Sequence, residues 1–238
     1  MFERPHHRRI AEVLQALDGR VLRDHCCWFG GGTAMALRYG EYRESVDMDF
    51  LVSDISCYRN LRQRLTGPQG IGVLVRQGGQ PLVQVREVRA DQYGIRTLVR
   101  MDSAEIKFEI VLEARMALAP PRRSDAICGI ATLTPLDMAA GKLLANSDRF
   151  MDDGVFSRDV IDLAMMKPPL PLLRAAVAKA EQAYGTAILR DLGKALDRLK
   201  GREGWLDRCM KAMAMQVPRA LIWQRLRLLE RVLPESSA

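Results

Sequence analysis

The chain has 238 residues, 48% apolar and 27% charged, an ordinary composition for a folded domain that excludes disorder as the default state. No stretch reaches the ~18–20 uninterrupted apolar residues that a bilayer span requires, and Met1–Arg9 holds no apolar signal core, so a cytoplasmic protein with no membrane partner is expected. Net charge is +7, and residues 139–238 carry most of it, 17 Lys and Arg against 12 Asp and Glu, as a polyanion-binding lobe would.

Residues 5–24 place Ile10, Val13, Leu14, Leu17, Val21 and Leu22 at helical spacing and predict a helix. A short bulky run, Cys26–Phe29, leads into Gly30-Gly31-Gly32-Thr33 and a second helix that ends near Gly40. From Ser45 to Val52 the period becomes two. Val46, Met48 and Phe50 are expected in the core, with Ser45, Asp47, Asp49 and Leu51 on the opposite face. A helix over 57–65 and a turn over 66–70 precede strand-like runs at 71–75, 82–88 and 95–101. A further strand over 104–112 alternates Ile106, Phe108 and Ile110 against Glu105, Lys107, Glu109 and Val111. After Pro120-Pro121 the pattern turns helical, in segments near 136–148, 157–166, 170–184, 186–200, 204–215 and 218–233. The reading is an α/β (α+β) chain: a mixed-sheet domain over 1–120, then an all-helical lobe over 121–238.

Asp47 and Asp49 stand at i and i+2 of the predicted strand, so their Cβ atoms share a face roughly 6–7 Å apart. Two such carboxylates repel unless a cation lies between them, and hard oxygen ligands suit Mg²⁺ bound to substrate phosphates. The competing reading is an edge strand with solvated acids. The glycine run before a helix start is a phosphate cradle in form, although no Gly-Lys-Ser/Thr follows, and by itself it is equally a tight turn. Glu109, on a later strand, would complete a metal site. Lys142 interrupts the apolar run Met138–Ala145, either as a snorkelling surface lysine or as a point charge for phosphate. Asp159 and Asp162 share a helical face and are either solvated or a brace for Arg149, Arg158 or Lys142. Five cysteines without a CxxC pair are read as reduced thiols. His6, His7 and His25 lack spaced ligand partners and receive no role.

In this order the motifs resemble a known group. Gly31-Gly32-Thr33-Ala34-Met35-Ala36-Leu37-Arg38-Tyr39-Gly40, followed by Arg43-Glu44-Ser45-Val46-Asp47-Met48-Asp49-Phe50, is similar to the signature of AbiEii/MenT-like nucleotidyltransferases. These belong to the DNA polymerase β-type superfamily and include toxins of bacterial toxin–antitoxin systems. Ile106–Ile110 resembles the family's third-acid strand, Thr134–Leu143 its lysine helix, and Arg149 with Arg158-Asp159-Val160-Ile161-Asp162-Leu163 its Arg…RDxxDL stretch. Two departures stand out: Gly32 to Asp47 is about one residue longer than usual, and the third acid is Glu rather than the commoner Asp.

The resemblance implies a Mg²⁺-dependent transfer of a nucleoside monophosphate from an NTP to an acceptor hydroxyl, with tRNA the favoured acceptor and a cognate antitoxin as protein partner. It implies a two-metal site on Asp47, Asp49 and Glu109, with Lys142 catalytic. Nucleotide contacts fall to Gly31, Gly32, Thr33, Ser45, Lys142, Arg149, Asp159 and Asp162. A protein or small-molecule hydroxyl as acceptor, or an inactive binding module of this fold, are the alternatives. No motif names the NTP.

Overall fold

A computed structural model describes residues 2–101 and 104–234. The chain forms two compact units, the first ending at Thr134 and the second starting at Pro135. The boundary expected at Pro120 thus falls later, because residues 125–133 are tied into the first unit. Leu133 N–H donates to the Phe29 carbonyl at 2.9 Å, and Arg38 holds Asp125 at 2.6 Å.

The single helix expected over 5–24 is two, α1 (Pro5–Ala16) and α2 (Gly19–Asp24). Leu17 leaves the helix in an extended conformation to bridge Val75, and Asp18 caps α2 by accepting from Arg20 N–H at 2.8 Å. There follow β1 (Trp28–Gly30), α3 (Gly31–Arg38), β2 (Met48–Val52) and α4 (Ile55–Leu65). Next come β3 (Val83–Gln84), β4 (Arg89–Ala90), β5 (Gly94–Met101), β6 (Ala104–Leu112) and the hairpin β7 (Ala126–Ile127) and β8 (Ile130–Ala131).

Two strand expectations fail. Residues 71–75 lie in a 3₁₀ turn, Gly70–Leu74, which Gln84 anchors by accepting from Ile71 N–H at 2.8 Å. The run 82–88 is a strand only over Val83–Gln84, with one further bond from Val85 N–H to the Leu98 carbonyl at 2.8 Å. Strand β2 is also shorter than expected and opens at Met48; Val46 is 47% exposed rather than in the core.

The main sheet runs β1-β2-β6-β5-β3, with β4 on β5, and is mixed: β2 and β6 are parallel, the other pairs antiparallel. Alternation puts Met48, Phe50 and Val52 of β2 and Ile106, Phe108 and Ile110 of β6 on one buried face. There Phe29, Phe50 and Phe108 pack in sequence with tilted rings, at centroid separations of 5.3 and 5.1 Å. That packing fixes the register and commits Asp49, Lys107 and Glu109 to the other face.

The second unit contains α5 (Pro135–Arg149), α6 (Arg158–Met166), α7 (Leu170–Tyr184), α8 (Ala187–Gly201), α9 (Trp205–Ala212) and α10 (Arg219–Leu229). Helix α5 packs against α6, α7 and α8, and α10 against α6. Ala139, Ala140, Leu143 and Leu144 of α5 are buried with Ile161, Leu163, Leu173, Leu192 and Leu196. No described helix is long and apolar enough to cross a membrane.

Candidate active site

Strand register assembles the first unit's site. Parallel pairing sets Asp49 beside Glu109, and antiparallel pairing sets Gly30 opposite Asp49. Helix α3 therefore starts against the Asp49 carboxylate. Gly31 has φ +67°, and a Cβ there would meet Asp49 Cβ at 2.8 Å and Cγ at 3.0 Å. At Gly32 an added Cβ would collide with the Arg43 guanidinium and lie 3.4 Å from Ser45 Oγ. At Gly31 the obstacle includes the Asp49 Cβ, whereas at Gly32 it is the far end of the Arg43 side chain. The backbone comes close to a carboxylate on one side and a guanidinium on the other, and the positive end of a helix favours the negative charge of that carboxylate.

Thr33, 1% exposed, organises the segment that carries the first acid. Its hydroxyl donates to the Asp47 carbonyl at 2.5 Å and lies 2.8 Å from Ser45 Oγ. Asp47 itself sits just before β2, which opens at Met48 rather than Ser45, so of the two aspartates only Asp49 lies on the strand. On β6, Glu109 is gripped from both sides: Arg96 Nε donates to Oε1 at 2.6 Å, and Lys107 Nζ lies 2.9 Å from Oε2. Burial would raise the Glu109 pKa, but Lys107 and Arg96 outweigh it and hold the carboxyl below its usual range. Lys107 is in turn held above the ordinary lysine range, first by its hydrogen bond to Glu109 and further by the charges of Asp47 and Asp49. One ammonium thus feels all three predicted acids.

The donor chemistry fits a hard cation at the Asp47–Asp49 pair, which needs only one or two carboxylates beside substrate oxygens for Mg²⁺. Among the described residues no three His, Cys, Asp or Glu side chains cluster tightly enough to hold an ion by themselves. Glu109 would have to share its oxygens with Arg96 and Lys107.

The second unit gathers the other predicted residues. Lys142 is buried between two carboxylates, 2.9 Å from Asp159 Oδ1 and 2.6 Å from Asp162 Oδ2. Arg149 forks onto Asp159, Nε to Oδ2 at 2.7 Å and Nη2 to Oδ1 at 3.0 Å. Burial would raise the Asp159 pKa, yet Lys142 and Arg149 together hold it far below the usual carboxylate range. Lys142 is therefore neither a snorkelling lysine nor unpartnered.

Of the predicted residues, Gly31, Gly32, Thr33, Ser45, Asp47, Asp49 and Glu109 converge in the first unit, and Lys142, Arg149, Asp159 and Asp162 in the second. Four further residues of the first unit's site escaped sequence reasoning. Arg43, 4% exposed, lies against the glycine turn, and Arg96 and Lys107 orient Glu109. His7, fully buried, accepts from Ser45 N–H at 3.2 Å. A signal for His7 was present, since with Ile10 and Leu14 it lies at i, i+3 and i+7 on the apolar face of α1.

The sequence model of the family described as "Nucleotidyl transferase AbiEii toxin, Type IV TA system" matches residues 12–227. The crystal structure of JHP933 from Helicobacter pylori aligns with 98% of this chain and 95% of that chain at a TM-score of 0.53 and 17% identity. That likeness shows a shared fold. A second H. pylori structure, provisionally described as a nucleotidyltransferase, aligns with 97% of each chain at 13% identity, with a TM-score of only 0.39. No curated protein matches the chain.

Proposed function

The chain belongs to the AbiEii family of nucleotidyltransferase toxins, and from that premise we propose a Mg²⁺-dependent transfer of a nucleoside monophosphate from an NTP to a tRNA hydroxyl, opposed by a cognate antitoxin. The observation that carries the reading is the pairing of Asp49 with Glu109 across β2 and β6 at the start of α3, where an added Cβ on Gly31 would run into the Asp49 side chain.

In this reading the first turn of α3 takes the triphosphate on its backbone N–H groups, with the Arg43 guanidinium alongside Gly32 adding positive charge. Thr33 and Ser45 hold the Asp47 backbone in place. Asp47 and Asp49 would hold Mg²⁺, which when bound neutralises phosphate charge and acidifies the acceptor hydroxyl. Glu109 stays ionised under Lys107 and Arg96 and keeps negative charge beside Asp49. In the second unit Lys142 is fixed by Asp159 and Asp162, while Arg149 leaves Nη1 outside its fork with Asp159, available to a phosphate. The +5 balance of 139–238 disfavours a polycationic small-molecule acceptor.

The test is incubation with each of the four α-³²P-labelled NTPs, Mg²⁺, and either total RNA or total protein. Label in tRNA that disappears with Asp47→Asn or Asp49→Asn is expected. Label in protein alone would replace the acceptor, and absence of label from every combination would overturn transfer itself.

A further inference from the structure

The segment that presents Ser45 and Asp47 has little regular structure of its own, and residues 3–7 grip it. Glu41, in the left-handed region at φ +51°, accepts Glu3 N–H at 2.7 Å and Arg4 N–H at 3.2 Å on its carboxylate. Arg4 Nε donates to the Glu41 carbonyl at 3.1 Å, and His6 Nε2 lies 3.0 Å from the Val46 carbonyl. At the centre is His7, with Nδ1 2.7 Å from Glu41 Oε1 and Nε2 3.2 Å from Ser45 N. An amide can only donate, so Nε2 accepts and the ring proton sits on Nδ1, pointing at Glu41. A neutral imidazole satisfies both neighbours; an imidazolium would set N–H against N–H at Ser45.

We propose that His7 is a positioning residue of the transfer site, holding Ser45 and thereby Thr33 and Asp47 in register with the glycine turn. The contacts form one chain: Glu41 to His7, His7 to Ser45 N–H, Ser45 Oγ to Thr33 Oγ1, and Thr33 to the Asp47 carbonyl. The inference rests on the Asp47–Asp49 site being the seat of transfer. It also makes the site sensitive to acid. Burial lowers the His7 pKa below its ordinary value, Glu41 pulls it back up, and Arg4 and His6 push it down. The imidazole is thus neutral near neutral pH, and as pH falls through its lowered pKa the acceptor at Ser45 is lost.

The experiment measures kcat and KM for the NTP across pH 5–8 for the full chain and four variants. His7→Leu, folded by circular dichroism, should lose roughly a hundredfold in kcat, the scale of a misplaced catalytic group. His7→Gln, whose Oε1 can reach the Nε2 position, should recover most of that loss and lack the acid limb. Glu41→Gln removes the charge that raises the His7 pKa, so its acid limb should move to lower pH. A folded His7→Leu with wild-type kcat, an acid limb retained in His7→Gln, or an unmoved limb in Glu41→Gln each overturns the proposal. Should His7→Leu fail to fold, the latter two profiles decide. Asp49→Asn runs alongside. If it labels like wild type, the site itself is wrong; if it is dead while the His7 and Glu41 variants behave as wild type, only this inference falls.

Discussion

Gly31→Ala isolates the role of close packing at the glycine turn. Two costs add. The backbone at φ +67° disfavours any residue with a Cβ by ~1–2 kcal/mol. The new methyl also falls 2.8 Å from Asp49 Cβ and 3.0 Å from Cγ, closer still to Oδ2, and such overpacking costs about 1–3 kcal/mol. Gly204 supplies the control: at φ +68° it shares the backbone conformation, but an added Cβ meets nothing within 4 Å. Gly204→Ala should therefore lose ~1–2 kcal/mol, and Gly31→Ala about 2–5 kcal/mol. At about 2–4 °C per kcal/mol for a chain of this size, the two melting temperatures should separate by several degrees. Because Asp49 Cβ is itself too close, relief needs β2 and the start of α3 to part as well as the carboxylate to turn, so Gly31→Ala should lose labelling activity while Gly204→Ala keeps it. Equal melting temperatures together with equal activity would refute the idea that Gly31 is small because Asp49 fills its space.

Lys142→Met should cost about 3–5 kcal/mol in denaturant unfolding, because it takes the ammonium away from between two buried carboxylates, Asp159 and Asp162; adding Asp162→Asn should recover part of the loss, and a neutral Lys142→Met would contradict the buried pairing. Because Asp159 is held below its unfolded value, its stabilisation is complete above about pH 4 and is lost as pH falls further; unfolding measured at pH 7 and pH 3 should show a drop in wild type that shrinks in Asp159→Asn. If tRNA is the acceptor, affinity should fall linearly on a log–log plot against salt. Exposed Arg59 and Arg62 of α4 have no carboxylate partner among the described residues, so their joint change to Gln should flatten that slope by roughly two. Arg219→Gln should flatten it less, since Arg219 already pairs with Asp207 at 3.0 Å.

Much of this was legible because two periodicities carry it. Alternation in 104–112 located β6 and the outward face of Glu109, and helical spacing located the six α-helices described in the second unit. What escaped was set by partners distant in sequence. Ile71–Val75 has the apolar look of a strand, but Gln84 captures its first N–H and the chain closes into a 3₁₀ turn. Val46 fits the alternation yet lies outside β2, its carbonyl beside His6 rather than a strand. For Lys142 a surface lysine and a phosphate-binding charge both stayed open because its two carboxylates come from another helix, and net charge pointed to the helical lobe although Arg149, Arg190, Arg198, Arg202 and Arg219 there are engaged by acids. Arg96 faces Glu109 only through the β5–β6 register, which a single sequence does not state.

The parallel pairing of β2 with β6 carries a consequence in time. Asp49 and Glu109 are adjacent in space but about sixty residues apart, and parallel strands, unlike a hairpin, need a long crossover before they meet. Non-local pairing of this kind is the slow part of folding. At about 5–20 residues per second of synthesis, β6 reaches β2 some seconds after the glycine turn and both aspartates have been made. Until then the glycine turn and both aspartates stand without the strand that carries Glu109. The order in which the chain is made thus separates the making of Asp49 from that of its strand neighbour Glu109 by some seconds.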